Sequence, residues 1–252
     1  GGNIIYTFYT SIGSEKETGM SGEADEILLN TWKQEWILHG WEPRIIGIDT
    51  AKLHQDFHRL NSMLDEVLHL SLYDRYCFLR WLAMANVGGW MSDYDTFPLH
   101  PFDGIPLPND GRLTVHEYSK NGGVPDLVSG STDEYYRMAV TLIENAVSHK
   151  DEILWSDMYA MHDVYVGSNG SIYERESHVI PGQVITRQTR EDRVCKRTHG
   201  KYAVHFSHYA VQYGGKNNAG PENRAEIARL WLKNWREKCL LSTTNIDNEA
   251  VG

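Results

Sequence analysis

The sequence predicts an α/β fold, a single domain with a mostly parallel central sheet flanked by helices. Three observations predict it. Short apolar runs alternate with segments of helical period from the first residues onward, the order of strand–helix–strand units. The 252 residues suit one large domain with room for a sizeable core, and the 41% hydrophobic and 23% charged content is that of a globule. No internal repeat or low-complexity run divides the chain, so the economical division is one domain over 1–241 and a polar tail over 242–252.

Taken in order, Asn3–Thr10 is an apolar first strand. In an open α/β sheet the carboxyl end of such a strand borders the ligand crevice, so Tyr9 and Thr10 are candidates to touch a nucleotide base; the alternative is strand-end packing. The polar loop from Ser11 to Ser21 has neither a P-loop nor a dinucleotide fingerprint. Glu23–His39 is an amphipathic helix with Ile27, Leu28, Trp32 and Trp36 at helical spacing, closed by Gly40. Pro43–Thr50 reads as the second strand, with Asp49 at its end as a ribose or base contact or, more simply, a turn cap. Residues 53–70 read as helical.

The central stretch runs from Leu72 to Phe102. Its helix is apolar on nearly every face and therefore buried. Ser71 and Asp74 form a capping pair at its start, and Gly88-Gly89 ends it because glycine accepts the left-handed conformation. Trp90 and Met91 form a brief buried strand that delivers Asp93-Tyr94-Asp95 to an edge where the chain turns at Pro98. Two acids at the rim of a buried frame are costly without a cation to bind.

Beyond it, Pro101–Arg112 is a loop, Leu113–His116 and Asp126–Ser129 are strands, and Asp133–Ser148 is a helix. Asp157, just after Ser156, suits either a carboxylate facing an acceptor hydroxyl or a first-turn helix acid favoured by the helix dipole; Trp155 beside it offers a face for a sugar ring. Gly167–Ser171 reads as a hairpin-type turn containing the sequon Asn169-Gly170-Ser171, a hint of a secretory compartment. Val184–Arg187 is strand-like, Arg190–Lys201 a charged loop, and Pro221 opens a last helix with Ile227, Leu230, Trp231 and Trp235 on its buried side. Arg187, Arg190, Arg193, Lys196 and Arg197 are either solvated or meet a diphosphate. Of the three cysteines, Cys77 reads as a buried thiol, while a Cys195–Cys239 bridge stays open because spacing does not decide it.

The net charge of −10 argues against a nucleic-acid partner. No window is apolar enough to span a membrane and no signal peptide is visible. Localisation is the Golgi lumen if an anchor precedes the chain and cytoplasmic otherwise.

Arg80 inside the helix, Gly88-Gly89 eight residues on, Asp93-x-Asp95 and the sequel Phe97-Pro98-Leu99 resemble the sugar-binding region of the DXD glycosyltransferases, notably the family of yeast-type initiating mannosyltransferases and related galactosyl- and glucosyl-transferring enzymes. Where that family has an acid three positions before the helix Arg, this chain has Cys77. The resemblance implies a GT-A-like nucleotide-sugar domain that moves a sugar from a UDP- or GDP-sugar donor to a hydroxyl of a glycan, with retention of configuration and with Mn²⁺ or Mg²⁺ as cofactor. Asp95 would bind the metal, and Asp93 would share it or hold the donor ribose. Arg80 would contact the donor or form a structural ion pair. The run Tyr202–Phe206 resembles the His-Phe segment that completes the metal site in several such enzymes, which nominates His205, with His208 as the alternative ligand. Lys216, after Gly214-Gly215, would approach the phosphates. Were the reaction inverting, Asp157 would be the base. A sugar-nucleotide pyrophosphorylase and a catalytically silent glycan- or nucleotide-binding protein remain as alternatives; the first lacks its glycine-rich, basic loop after the opening strand.

Overall fold

The computed structural model describes residues 2–13, 20–119, 122–182, 191–208, 210–211 and 220–240. The expectations at Val184–Arg187, Arg190, Lys216 and the tail lie outside these residues.

A six-stranded sheet forms the centre, built from β1 (Asn3–Phe8), β2 (Trp41–Ile46), β3 (Gly89–Ser92), β5 (Thr114–Ser119), β6 (Gly122–Gly130) and β7 (Glu174–Arg175), in the order β2-β1-β3-β6-β5-β7. β1 lies parallel to β2 and to β3, and β5 lies parallel to β7. β6 runs antiparallel to both of its neighbours, β3 and β5, so the sheet is mixed. The tight connection from β5 to β6 accounts for this, since only antiparallel strands can be joined by a short turn. A second, three-stranded sheet was not foreseen: β4 (Thr96–Pro98), β9 (Ala203–His205) and β8 (Val179–Pro181), with β9 in the middle.

The helices are α1 (Gly22–Leu38), α2 (Ile48–Lys52), α3 (Phe57–Met63), α4 (Leu72–Ala85), α5 (Thr132–Ser148), α6 (Asp157–Gly167), α7 (Glu191–Thr198) and α8 (Arg224–Trp235). Serine caps start three of them. Ser21, Ser71 and Ser131 accept from the backbone amides of Ala24, Asp74 and Glu134, and Ser71 Oγ also donates to Asp74 Oδ2 at 2.9 Å. Gly88 follows α4 at φ +63°, as the double glycine requires.

Several boundaries differ from expectation. The second strand stops at Ile46, and Asp49 lies in the first turn of α2, pairing with Lys52. The charged segment after residue 190 forms the helix α7, and Asn169 closes the C-terminal turn of α6 at φ +52° where a hairpin was expected. In the last helix Leu230 faces solvent, and Ala225, Ala228, Leu232 and Trp235 are the buried side. Cys195 and Cys239 are bridged, with Cα atoms 5.2 Å apart, tying α7 to the turn that follows α8.

Two cores result. α4 and α5 pack over one, with Phe78, Trp81, Leu82, Leu142 and Ile143 wholly buried. The other holds α1, α8 and the small sheet around Trp32, Trp36, Trp90, Phe97 and Trp235. Each large side chain taken fully from water contributes roughly 2–3 kcal/mol. The acid-bearing turn follows directly on β3.

Candidate active site beneath the β1–β3 crevice

The sheet order turns around β1. The chain passes from β1 outward to β2 and then returns to place β3 on β1's other side. Helices leave such a pair of strands in opposite directions, so their carboxyl ends part and leave a crevice. A cavity of about 250 Å³ lies here, lined among others by Tyr9, Thr10, Arg80, Asp93, Asp95 and Arg224. The expected donor-binding residues Tyr9, Thr10 and Arg80 and both acids of the D-x-D motif therefore share one space. Asp49 is not among its lining residues. Thr10 has a structural task as well, since its Oγ1 accepts from Ile48 N at 2.9 Å. The Tyr9 ring stands edge-on to Tyr94, with centroids 5.7 Å apart.

Arg80 is fixed by the apolar helix that carries it. Its Nε and Nη2 donate to Asp157 Oδ2 at 2.9 and 2.6 Å, and its Nη1 donates to Asp93 Oδ1 at 2.8 Å. Trp81 Nε1 donates to the same Asp157 oxygen at 2.9 Å. Asp157 is 3% exposed and lies in the first turn of α6, and its contacts are those of a group that positions Arg80. Arg80 is both an ion-pair partner and a cavity wall. Trp155 stacks on His149 with ring centroids 3.9 Å apart, so one of its two faces is covered.

The second acid is more deeply held. Backbone pairing sets Thr96 opposite His205, and Phe206 N donates to Asp95 O at 2.9 Å, so the small sheet carries His205 to Asp95. His205 Nε2 lies 3.5 Å from Asp95 Oδ1. Arg224 Nη1, from the start of α8, donates to Asp95 Oδ2 at 2.8 Å. Asp95 Oδ1 is buried and finds no hydrogen-bond donor among the described residues. On its other side His205 Nδ1 lies 3.0 Å from Glu117 Oε2 and 3.3 Å from Asp126 Oδ2.

These contacts set the ionisation of the cluster. Burial raises the Asp93 carboxyl to about 6 against the pull of Arg80, and its 32% exposure toward the cavity moderates that rise. Burial acts to raise Asp95 too, but His205 and Arg224 outweigh it and hold its carboxyl below the usual range. Burial and then Glu117 push the Asp126 carboxyl well up, against the pull of His205. Burial works against a charged His205, yet Asp95, Asp126 and Glu117 together hold its ring well above an ordinary histidine. Burial pushes the Cys77 thiol well up, so Cys77 brings no charge to the cavity.

Groups of acids and histidines here could hold a metal ion. Asp93, Asp95 and His205 each offer a ligand atom, all within 4.8 Å of one another. Carboxylate oxygens with an imidazole are a donor set that fits a divalent cation. Asp95 Oδ1 makes no short hydrogen bond and has His205 Nε2 at 3.5 Å beside it, so it is open to a cation. Glu117 and Asp126 behind Nδ1 would orient the ring and leave Nε2 toward the acids. His208, the alternative ligand, is not part of this group, and Lys216 lies outside the described residues. His205→Ala should therefore weaken Mn²⁺ binding by at least about tenfold and His208→Ala should leave it nearly unchanged. A metal titration of both variants checks the ranking.

Four contributors were not read from the sequence. Arg224 and Asp25, which accepts from Tyr94 Oη at 3.1 Å, sit on ordinary helices with nothing local to mark them. Glu117 and Asp126 did leave a signal, because an acid inside an apolar strand is costly unless partnered.

The molecule is thus an α/β protein with an acid–histidine cluster beneath a crevice at its strand ends. A family model described as a domain of unknown function (DUF8765) is similar to residues 2–111, which include the helix Arg and the D-x-D turn but not Asp157, His205 or Arg224. No curated protein matches the chain. Among the described residues no helix is long and apolar enough to cross a membrane.

Proposed function

We propose that the protein is a metal-dependent glycosyltransferase of GT-A-like architecture, moving a sugar from a nucleoside-diphosphate sugar to a hydroxyl of a glycan or other acceptor. The observation that carries this reading is that Asp93 and Asp95 line the same cavity as Tyr9 and Thr10, with a His205 ring nitrogen among the ligand atoms within 4.8 Å of one another behind them. A base and ribose would lie against Tyr9 and Thr10, and the diphosphate over the acids. Bound Mn²⁺ or Mg²⁺ supplies Lewis-acid stabilisation of the charge that develops on the departing diphosphate.

The chain's own residues have separate tasks. Asp95 and His205 hold the ion, and Asp93 shares it while keeping one oxygen on Arg80. Arg224, a buried cation in the cavity wall, fixes Asp95 and adds positive potential where phosphate charge grows. Asp157 serves through Arg80, since three donors already occupy one of its oxygens. That commitment argues against Asp157 as the base of an inverting reaction and supports retention.

Thermal unfolding against UDP, GDP, CDP and ADP, each with and without Mn²⁺, tests the reading. A ligand at a hundredfold excess over Kd adds about 2.7 kcal/mol, which raises Tm by about 5–10 °C in a chain of this size. The expected result is a shift that needs both metal and diphosphate, largest with UDP or GDP. A shift equally large without metal supports a silent nucleotide- or glycan-binding protein. Absence of any shift overturns the proposal.

A further inference from the structure

A second cluster of metal-ligating side chains lies on the neighbouring residue of β5. His116 Nδ1 faces His178 Nδ1 at 3.2 Å, and Glu176 Oε2 lies 2.9 Å from the same His178 nitrogen. We propose that His116, Glu176 and His178 form a separate binding site for a borderline divalent metal of the Zn²⁺ type, with two imidazoles and one carboxylate as ligands and water completing the shell.

The first argument is proton arithmetic. Each neutral imidazole carries one N–H, and a carboxylate carries none. If His116 Nδ1 bears the proton, Glu176 faces a bare His178 nitrogen. If His178 Nδ1 bears it, one hydrogen is split between an oxygen and a nitrogen. Protonating both nitrogens sets two N–H groups head to head. A cation satisfies all three atoms together.

The second argument is geometric. Zn–N bonds of about 2.0–2.1 Å at a tetrahedral angle place two ligand nitrogens about 3.3 Å apart. The Nδ1 atoms already stand at nearly that separation, and the three ligand atoms lie within 4.8 Å of one another.

The third is the outer shell. His116 Nε2 lies 3.0 Å from Ser129 Oγ, a contact that lets Nε2 carry the proton and leaves Nδ1 bare. Asn109 Nδ2 donates to Glu176 Oε1 at 2.9 Å, so the second carboxylate oxygen is held while Oε2 faces the histidines. Ring stacking fixes both imidazoles, His116 on Trp90 at 4.7 Å and His178 on Tyr202 at 4.0 Å. Metal-ligating histidines and carboxylates are characteristically oriented by such partners. An ion has a route in, because the Glu176 and His178 side chains are 29% and 27% exposed.

The site would join the two sheets. His116 belongs to the six-stranded sheet, and His178 immediately precedes β8 of the three-stranded one. Glu117, the residue after His116, holds the ring of His205, so an ion here would stiffen the strand beneath the first cluster. The inference stands on its own contacts and does not depend on the transferase reading.

Calorimetric titration of Zn²⁺ into chelator-treated protein tests it, on the parent, on Asp95→Asn and on His178→Gln, which keeps a planar polar group against Tyr202. The expected result is that Asp95→Asn still takes up one Zn²⁺, whereas His178→Gln weakens that uptake by at least about tenfold and leaves any nucleotide–Mn²⁺ thermal shift in place. Co²⁺ in place of Zn²⁺ should give visible ligand-field absorption that His178→Gln lacks. Loss of all Zn²⁺ uptake in a folded Asp95→Asn protein, or His178→Gln titrating like the parent, overturns the proposal.

Discussion

Asp95→Asn is expected to abolish sugar transfer, with no turnover above background in a donor-consumption assay. The carboxylate is asked to bind the metal through Oδ1 while Oδ2 receives Arg224, and an amide can serve at most one of these with comparable strength. The D-x-D motif alone places Asp95 at a solvent-facing rim, where the change would not touch the fold. The structure buries it to 8% exposure between His205 and Arg224, so the substitution also leaves two cationic partners short of charge. A loss of about 1–3 kcal/mol in stability should accompany the loss of activity. Circular dichroism would report a folded protein with lowered Tm, and the metal-dependent part of the nucleotide shift should vanish. Wild-type turnover in this variant would remove Asp95 from the metal site.

The second large effect is on stability. Arg80→Met should destabilise the protein by about 3–5 kcal/mol, because it strands the Asp157 carboxylate beneath α4 with only Trp81 as a donor. In a chain of this size that lowers Tm by about 10 °C. Arg80→Lys should recover only part of the loss, since one ammonium cannot reproduce a fork that reaches Asp93 and Asp157 together. Thermal unfolding of both variants decides it, and a loss below about 1 kcal/mol for Arg80→Met would mean that the buried pair contributes little.

The half of the site nearest the N-terminus was legible because it is contiguous. One helix, one double glycine and one short strand deliver Arg80, Asp93 and Asp95, and local rules of capping, left-handed glycine and buried periodicity set all three. Tyr9 and Thr10 followed from a general property of parallel strand ends. His205 was reachable only through a resemblance, because the pairing of β4 with β9 that brings it to Asp95 is a long-range event. Arg224 was not reachable at all: an arginine at the start of an amphipathic helix looks like any solvated charge until the helix is docked. The antiparallel direction of β6 was missed for a related reason. Apolar strands buried on both faces carry no alternation from which direction or neighbour can be read. For Asp157 a local reading as a helix-start acid stood beside a chemical one, and the pairing with Arg80 is a long-range contact that neither reading contained.

Arg224 also fixes when the cavity can exist. Its partner Asp95 precedes it by 129 residues, and His205 lies between them on a strand that needs β4 already in place. A ribosome adding about 5–20 residues per second covers that interval on the order of ten seconds after Asp95 is made. During that time the nascent N-terminal segment, including its D-x-D turn, has neither its histidine nor its clamping arginine. Assembly is therefore vectorial: Asp93 has Arg80 upstream to pair with, whereas Asp95 waits for Arg224 until the last helix docks on α1. A ribosome-stalled chain ending before Arg224 should thus present Asp95 to solvent and to any passing cation, a nascent intermediate whose lifetime is set by elongation speed.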